Sequence, residues 1–217
     1  MPDWRAIRDR AEERWEDGRE RLPDEPEPRQ RQLTRIGNAA YATGLAALME
    51  GETDDARDWL ARAAEAYRES FAGAPPDSWG RPIGAMKARL IANDSDAAVD
   101  DARWALDAGA AKAGSPIGRY AAALALLVLG RDHEARVLAD DLRIHDGFPT
   151  DVGDALAYLA AGTDAVGYIE AIESVLASFE ARDEYLEDVP VADTVLALQA
   201  LARPRGLEVE LTSPLLP

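Results

Sequence analysis

An all-α fold of antiparallel helical hairpins, stacked side by side as a compact, degenerate tetratricopeptide-like solenoid, is what this sequence predicts. Three observations lead there. Turn-forming residues, Gly51, Asn93, Gly130 and Gly162, recur at spacings of 42, 37 and 32 residues, near the periods of two-helix repeats. Leucine stands three residues before each of them, at Leu48, Leu90, Leu127 and Leu159. Strand signals are scarce, and apolar residues recur at helical spacing instead. Ten residues before each turn come Tyr41, Ile83, Tyr120 and Val152, on the same helix face as the leucines. Five after come the small residues Ala56, Ala98, Ala135 and Gly167, which let paired helices approach closely. Twelve after come Ala63, Ala105, Leu142 and Ser174.

Taken in order, residues 2–22 read as a first helix striped by Trp4, Ile7, Ala11 and Trp15. Two tryptophans on one stripe favour docking of that helix over its projecting as an arm. The run from Pro23 to Pro28 alternates proline with acids, a stiff extended linker. The repeat array then spans 29–206. Its first helix, Arg29 to Glu50, pairs with one capped by Thr53 that carries Trp59, Leu60, Ala63, Tyr67 and Phe71. Residues 72–82 are the longest irregular connection, with Trp79 expected to plug the core edge. Ser95 caps the second helix of the next hairpin. Residues 120–129 are apolar nearly all round and so should be sandwiched, and Asp132 is a good cap for the partner helix. Asp151 to Ala161 and a helix capped by Thr163 form the fourth hairpin, and a last helix runs from Val191 to Ala202. The tail, 207–217, alternates Leu207, Val209 and Leu211 with acids, a short extended piece that would cover the apolar end of the array. The whole is one helical-repeat domain over 1–217.

Composition bounds the function. The chain has 217 residues, 41 of them acidic against 24 basic, and a net charge of −17. Only two basic residues are lysines, Lys87 and Lys112. Abundant acid, scarce Lys and excess Ala and Arg resemble the proteome-wide signature of salt-loving archaea. In molar salt the Debye length falls to roughly 3 Å, and acidity keeps a surface hydrated. An acidic face aimed at a basic partner is the alternative reading. Nucleic-acid binding is disfavoured because no Lys/Arg stripe offsets phosphate repulsion. The absence of cysteine excludes disulfides and thiolate chemistry. The charged opening and the lack of a long apolar run point to a cytoplasmic chain outside the membrane.

Catalytic signatures are missing. There is no Walker loop, no G-x-G-x-x-G turn, no H-E-x-x-H helix and no G-x-S-x-G elbow. In GSPIG, Ser115 precedes a helix and is expected to cap it. His133 and His145 are too far apart and too isolated to make a metal pair. Asp-Asp-x-Arg occurs three times, at Asp54–Arg57, Asp100–Arg103 and Asp140–Arg143, but out of register from the turns. Each is expected to form exposed i,i+3 ion pairs, not a shared cation site. No cofactor and no metal are expected.

The C-terminal part, 158–217, carries a resemblance. It reads YLAAGTDAVGYIEAI (Tyr158 to Ile172), later LALQALARPRG (Leu196 to Gly206), then Leu207, Val209, Ser213, Leu216 and Pro217. This resembles immunity protein family forty-nine of polymorphic-toxin systems, with departures at Glu208 and Leu215. The resemblance implies an all-helical fold and toxin neutralisation by binding, with no catalytic residues to transfer. The expectation is therefore a non-catalytic protein-binding chain whose partner is another protein, a toxin in the form the family implies. Its oligomeric state is not readable. Binding faces need aromatic or Arg anchors, and the candidates are Trp59, Trp79, Arg81 and Trp104. The alternative is an enzyme holding a small molecule or cation in an inter-helix pocket.

Overall fold

Each of the four turn residues adopts the left-handed conformation that ends a helix, with φ of 83° at Gly51, 56° at Asn93, 67° at Gly130 and 67° at Gly162. The computed structural model describes residues 2–217. The first five α-helices are α1 (Trp4–Glu20), α2 (Pro26–Met49), α3 (Thr53–Phe71), α4 (Gly80–Ile91) and α5 (Ser95–Asp107). The second five are α6 (Pro116–Val128), α7 (Asp132–Arg143), α8 (Thr150–Ala161), α9 (Ala165–Glu180) and α10 (Asp193–Ala202). Single 3-10 turns occupy Ala110–Lys112, Leu186–Asp188 and Arg203–Arg205, and the described residues contain no strand. No helix among them is long and apolar enough to cross a membrane.

The small residues after each turn do what their size allows. Ala56, Ala98 and Ala135 are fully buried, and a Cβ added at Gly167 would lie 2.3 Å from the Tyr158 ring. Successive helices from α1 to α9 pack on one another. Within α6, every residue from Tyr120 to Leu127 is buried, as its all-round apolar sequence requires. The helix α10 does not simply extend the row. It packs against α4 as well as α8 and α9, and burial of Val195, Ala197, Leu198, Leu201 and Ala202 makes it a central post. Helix α1 is docked on α2, with Ile7 and Ala11 buried and Trp15 edge-on to Trp59 at 5.0 Å.

Several boundaries differ from expectation for local reasons. The Pro-rich stretch is no linker over its whole length: α2 begins at Pro26, because a first helical turn needs no N–H from proline. The caps fall one residue off. Asp94 and Asp164, not Ser95 and Thr163, accept from the backbone of Ala97 and Gly167. Thr53 and Asp132 are first helical residues, not caps. Ser115 does cap α6, accepting from Gly118 N at 3.2 Å. The register expected from the turns fails in the last hairpin, where Ser174 is exposed and its neighbour Val175 is buried. Leu127 and Leu159 are buried, whereas Leu48 and Leu90 are half-buried beside an open cavity of about 360 Å³ lined also by Leu196, Val209, Leu211 and Leu216. Residues 207–217 form no strand. They are held by Ala192 N donating to Leu215 O and by the Gln199 amide donating to the Val209 carbonyl.

Candidate functional site

A groove lies between α2, α4, the start of α10 and the loop that precedes α10. Its construction begins with two glycines. Gly37 on α2 and Gly84 on α4 face the two edges of the Tyr67 ring, and a Cβ at either would come within 2.8 Å of it. Without side chains there, the ring inserts between the helices and its hydroxyl donates to Asn38 Oδ1 at 2.9 Å. Tyr41, one turn on from Asn38, donates to Asp193 Oδ2 at 3.0 Å. Asp193 is the first residue of α10, where a carboxylate meets the positive end of the helix dipole. Lys87 of α4 reaches the same oxygen at 2.6 Å and Thr194 Oγ1 at 3.0 Å. Burial first, and the Asp193 carboxylate second, push the phenols of Tyr41 and Tyr67 above their ordinary range. Both are therefore neutral hydroxyl donors at any working pH.

The groove is divided by a strap, residues 185–189. On one side a cavity of about 220 Å³ reaches Phe179, Arg182 and Val191; on the other, one of about 370 Å³ reaches Tyr67, Arg81 and Ile83. Asn38, Tyr41, Lys87, Leu186 and Asp193 line both. Leu186 is 59% exposed on top of the strap. The Glu187 carboxylate is held by Arg14 at 2.7 Å and by the Asn38 amide at 3.3 Å. Glu187 and Asp188 both have positive φ, 56° and 59°, which side-chain-bearing residues adopt at a cost.

Of the four anchors expected from sequence, only Arg81 lines this groove. Its guanidinium donates to the neutral acceptors Thr34 Oγ1, at 3.1 Å, and Gln30 Oε1, and burial holds its pKa below the ordinary value. Trp59 is buried, with the Arg62 guanidinium over its ring at 4.4 Å. Trp79 is buried too, its indole donating to Asp77 Oδ1 at 3.0 Å and its ring near Phe71. Trp104 is half-buried, edge-on to Phe71 at 5.3 Å and covered by Arg68. The three tryptophans thus pack within the helical body, where their large apolar area is most stabilising. Sequence reasoning missed Asn38, Lys87, Glu187 and Asp193. The one available signal was Lys87, one of only two lysines in a chain that otherwise uses arginine.

The Asp-Asp-x-Arg pairs form as i,i+3 contacts, at 3.3, 3.2 and 3.3 Å for Asp54–Arg57, Asp100–Arg103 and Asp140–Arg143. Among the described residues no group of three or more His, Cys, Asp or Glu could hold a metal ion. No family model matches the chain, and neither a curated protein nor a solved structure shows significant similarity to it.

Proposed function

We propose that this chain is a non-catalytic protein-binding helical-repeat protein, its hairpins a degenerate tetratricopeptide-like array, and that it neutralises a toxin by binding it. The toxin is the specific form suggested by the resemblance of residues 158–217. Its working place is the cytoplasm of a salt-adapted cell, with no nucleic acid or membrane as partner. The observation that carries the binding reading is the make-up of the groove. An exposed leucine and an arginine without a carboxylate partner stand beside a floor that includes two buried tyrosines, a combination suited to receiving a protein segment. The enzyme alternative draws support from the Lys87, Asp193 and Tyr41 cluster. In that cluster Asp193 accepts from both Lys87 and Tyr41, so the three side chains are already engaged with one another.

Co-expression with the product of the adjacent reading frame, followed by purification in molar salt, tests the proposal. A stable complex, together with rescue of growth from that product's toxicity, is the expected result. Recovery of this chain alone, with toxicity unrelieved, would overturn it.

A further inference from the structure

We propose that the cavities flanking residues 185–189 are two halves of one site, and that this site takes an acidic side chain of a protein partner in exchange for the Glu187 carboxylate. The inference rests on the protein-binding reading and names the chemistry of the partner's anchor.

Four observations converge on it. The cavities share their floor, so lifting the strap would join them into one trough. The strap is fastened by a carboxylate, Glu187, gripped by Arg14 and Asn38; the chain therefore already displays an acidic group bound in the groove. The fastening is strained, because two consecutive residues with side chains sit at positive φ, so release of the strap returns that conformational cost. Charge favours an anion. The cavity walls carry three cations, Arg81, Arg182 and Lys87, against two carboxylates, Glu187 and Asp193, on a chain whose net charge is −17. With Glu187 displaced, this locally positive patch gains a further unit of unbalanced charge. The Asn38 amide, which lines both cavities, and Arg14, which reaches Glu187 from an adjoining cavity, are then left for the incoming carboxylate, while its apolar neighbour takes the place of Leu186 in the lining.

The probe is a blocked pentapeptide copying residues 185–189, compared with an analogue carrying amides in place of both carboxylates. Binding is followed by calorimetry in molar KCl, where repulsion from the rest of the chain is screened. The full-length chain with Glu187→Ala should bind the acidic peptide about tenfold more tightly than the native chain, the worth of one charge-assisted hydrogen bond. Adding Arg14→Ala should remove the gain. Asp188→Gly, which relaxes the closed strap and keeps Glu187, should weaken binding, so the result does not hang on one variant. Equal affinity for native and Glu187→Ala chains would overturn the proposal. So would equal affinity for the acidic and amide peptides, or displacement of the peptide by an equal concentration of inorganic phosphate, which would make the groove a site for free anions. A toxin complex that forms with unchanged affinity in the Glu187→Ala and Arg14→Ala chains would sink this inference and leave the protein-binding reading standing.

Discussion

Lys87 and Asp193 lie 106 residues apart in the chain, yet their charged atoms meet at 2.6 Å, and this contact pins the last helix to the second hairpin. Their side chains are 11% and 17% exposed, so each charge depends on the other for solvation. Removing one partner strands the other in a half-dry site. Asp193→Ala strands both Lys87 and the Tyr41 hydroxyl and should cost about 2 kcal/mol in urea unfolding, below the figure for a fully buried pair because water reaches the site. Asp193→Asn keeps an acceptor for Tyr41 and should cost less. An Asp193→Ala chain as stable as the native one would show that α10 is held by its apolar face alone.

The Tyr67 ring requires glycine at its edges. Gly84→Ala would place a methyl 2.8 Å from the ring, and overpacking of this kind costs about 1–3 kcal/mol. The displaced ring would also lose its bond to Asn38. The control is Gly114→Ala, where a Cβ meets nothing within 4 Å and stability should hold. Thermal unfolding of both variants checks the contrast, and equal midpoints would refute it.

Asp101 gives the fold an unusual response to pH. The residue is 4% exposed, with Arg68 at 2.7 Å and Arg89 at 3.6 Å. Burial raises its pKa, and the two arginines oppose that rise without cancelling it. A carboxyl whose pKa is higher folded than unfolded holds more protons in the native state across the interval between the two values. Its contribution to stability is thus greatest at low pH and is lost as pH rises through its folded pKa. Exposed carboxylates held down by arginine, Glu134, Asp140 and Glu208, slope the other way. The readout is therefore the difference between the native chain and Asp101→Asn, which should grow in favour of the native chain as pH falls from neutrality into the carboxylate range. A difference that is flat or shrinks would contradict the assignment.

How much of this was legible in the sequence follows from which forces are local. Helix ends were readable because a left-handed C-cap demands glycine or asparagine, and Gly51, Asn93, Gly130 and Gly162 all comply. Close helix approach was readable at Ala56, Ala98 and Ala135, since size alone decides it. The return of α10 onto α4 was not. Its apolar face fits any apolar partner, and the specifying contacts, Lys87 and Tyr41 with Asp193, join distant segments that no periodicity connects. As anchors Trp59 and Trp104 were ambiguous for a related reason, since they signal large apolar area without saying which side of the helix packs, whereas Trp79 plugs the core edge as its place in the 72–82 connection predicts. Asp101 belonged to a motif read as wholly exposed. Only its neighbour Asp100 follows that pattern, because adjacent residues on a helix point about 100° apart.

The strap offers the last prediction, because its strain can be measured without a ligand. Asp188 is exposed and has φ of 59°, a conformation glycine adopts freely and aspartate adopts at a cost. Asp188→Gly removes that cost but gives the unfolded chain more freedom. The folded-state gain should win by about 1 kcal/mol, a rise in melting midpoint of roughly 2–4 °C for a chain of this size. Asp146→Gly is the matched control: Asp146 is also an exposed loop aspartate, but its φ is not positive. Glycine there adds unfolded-state entropy with no strain to relieve, so the midpoint should fall slightly. If both variants lose stability to the same extent, the strap is not strained, and Glu187 rests in the groove with nothing pressing it to leave.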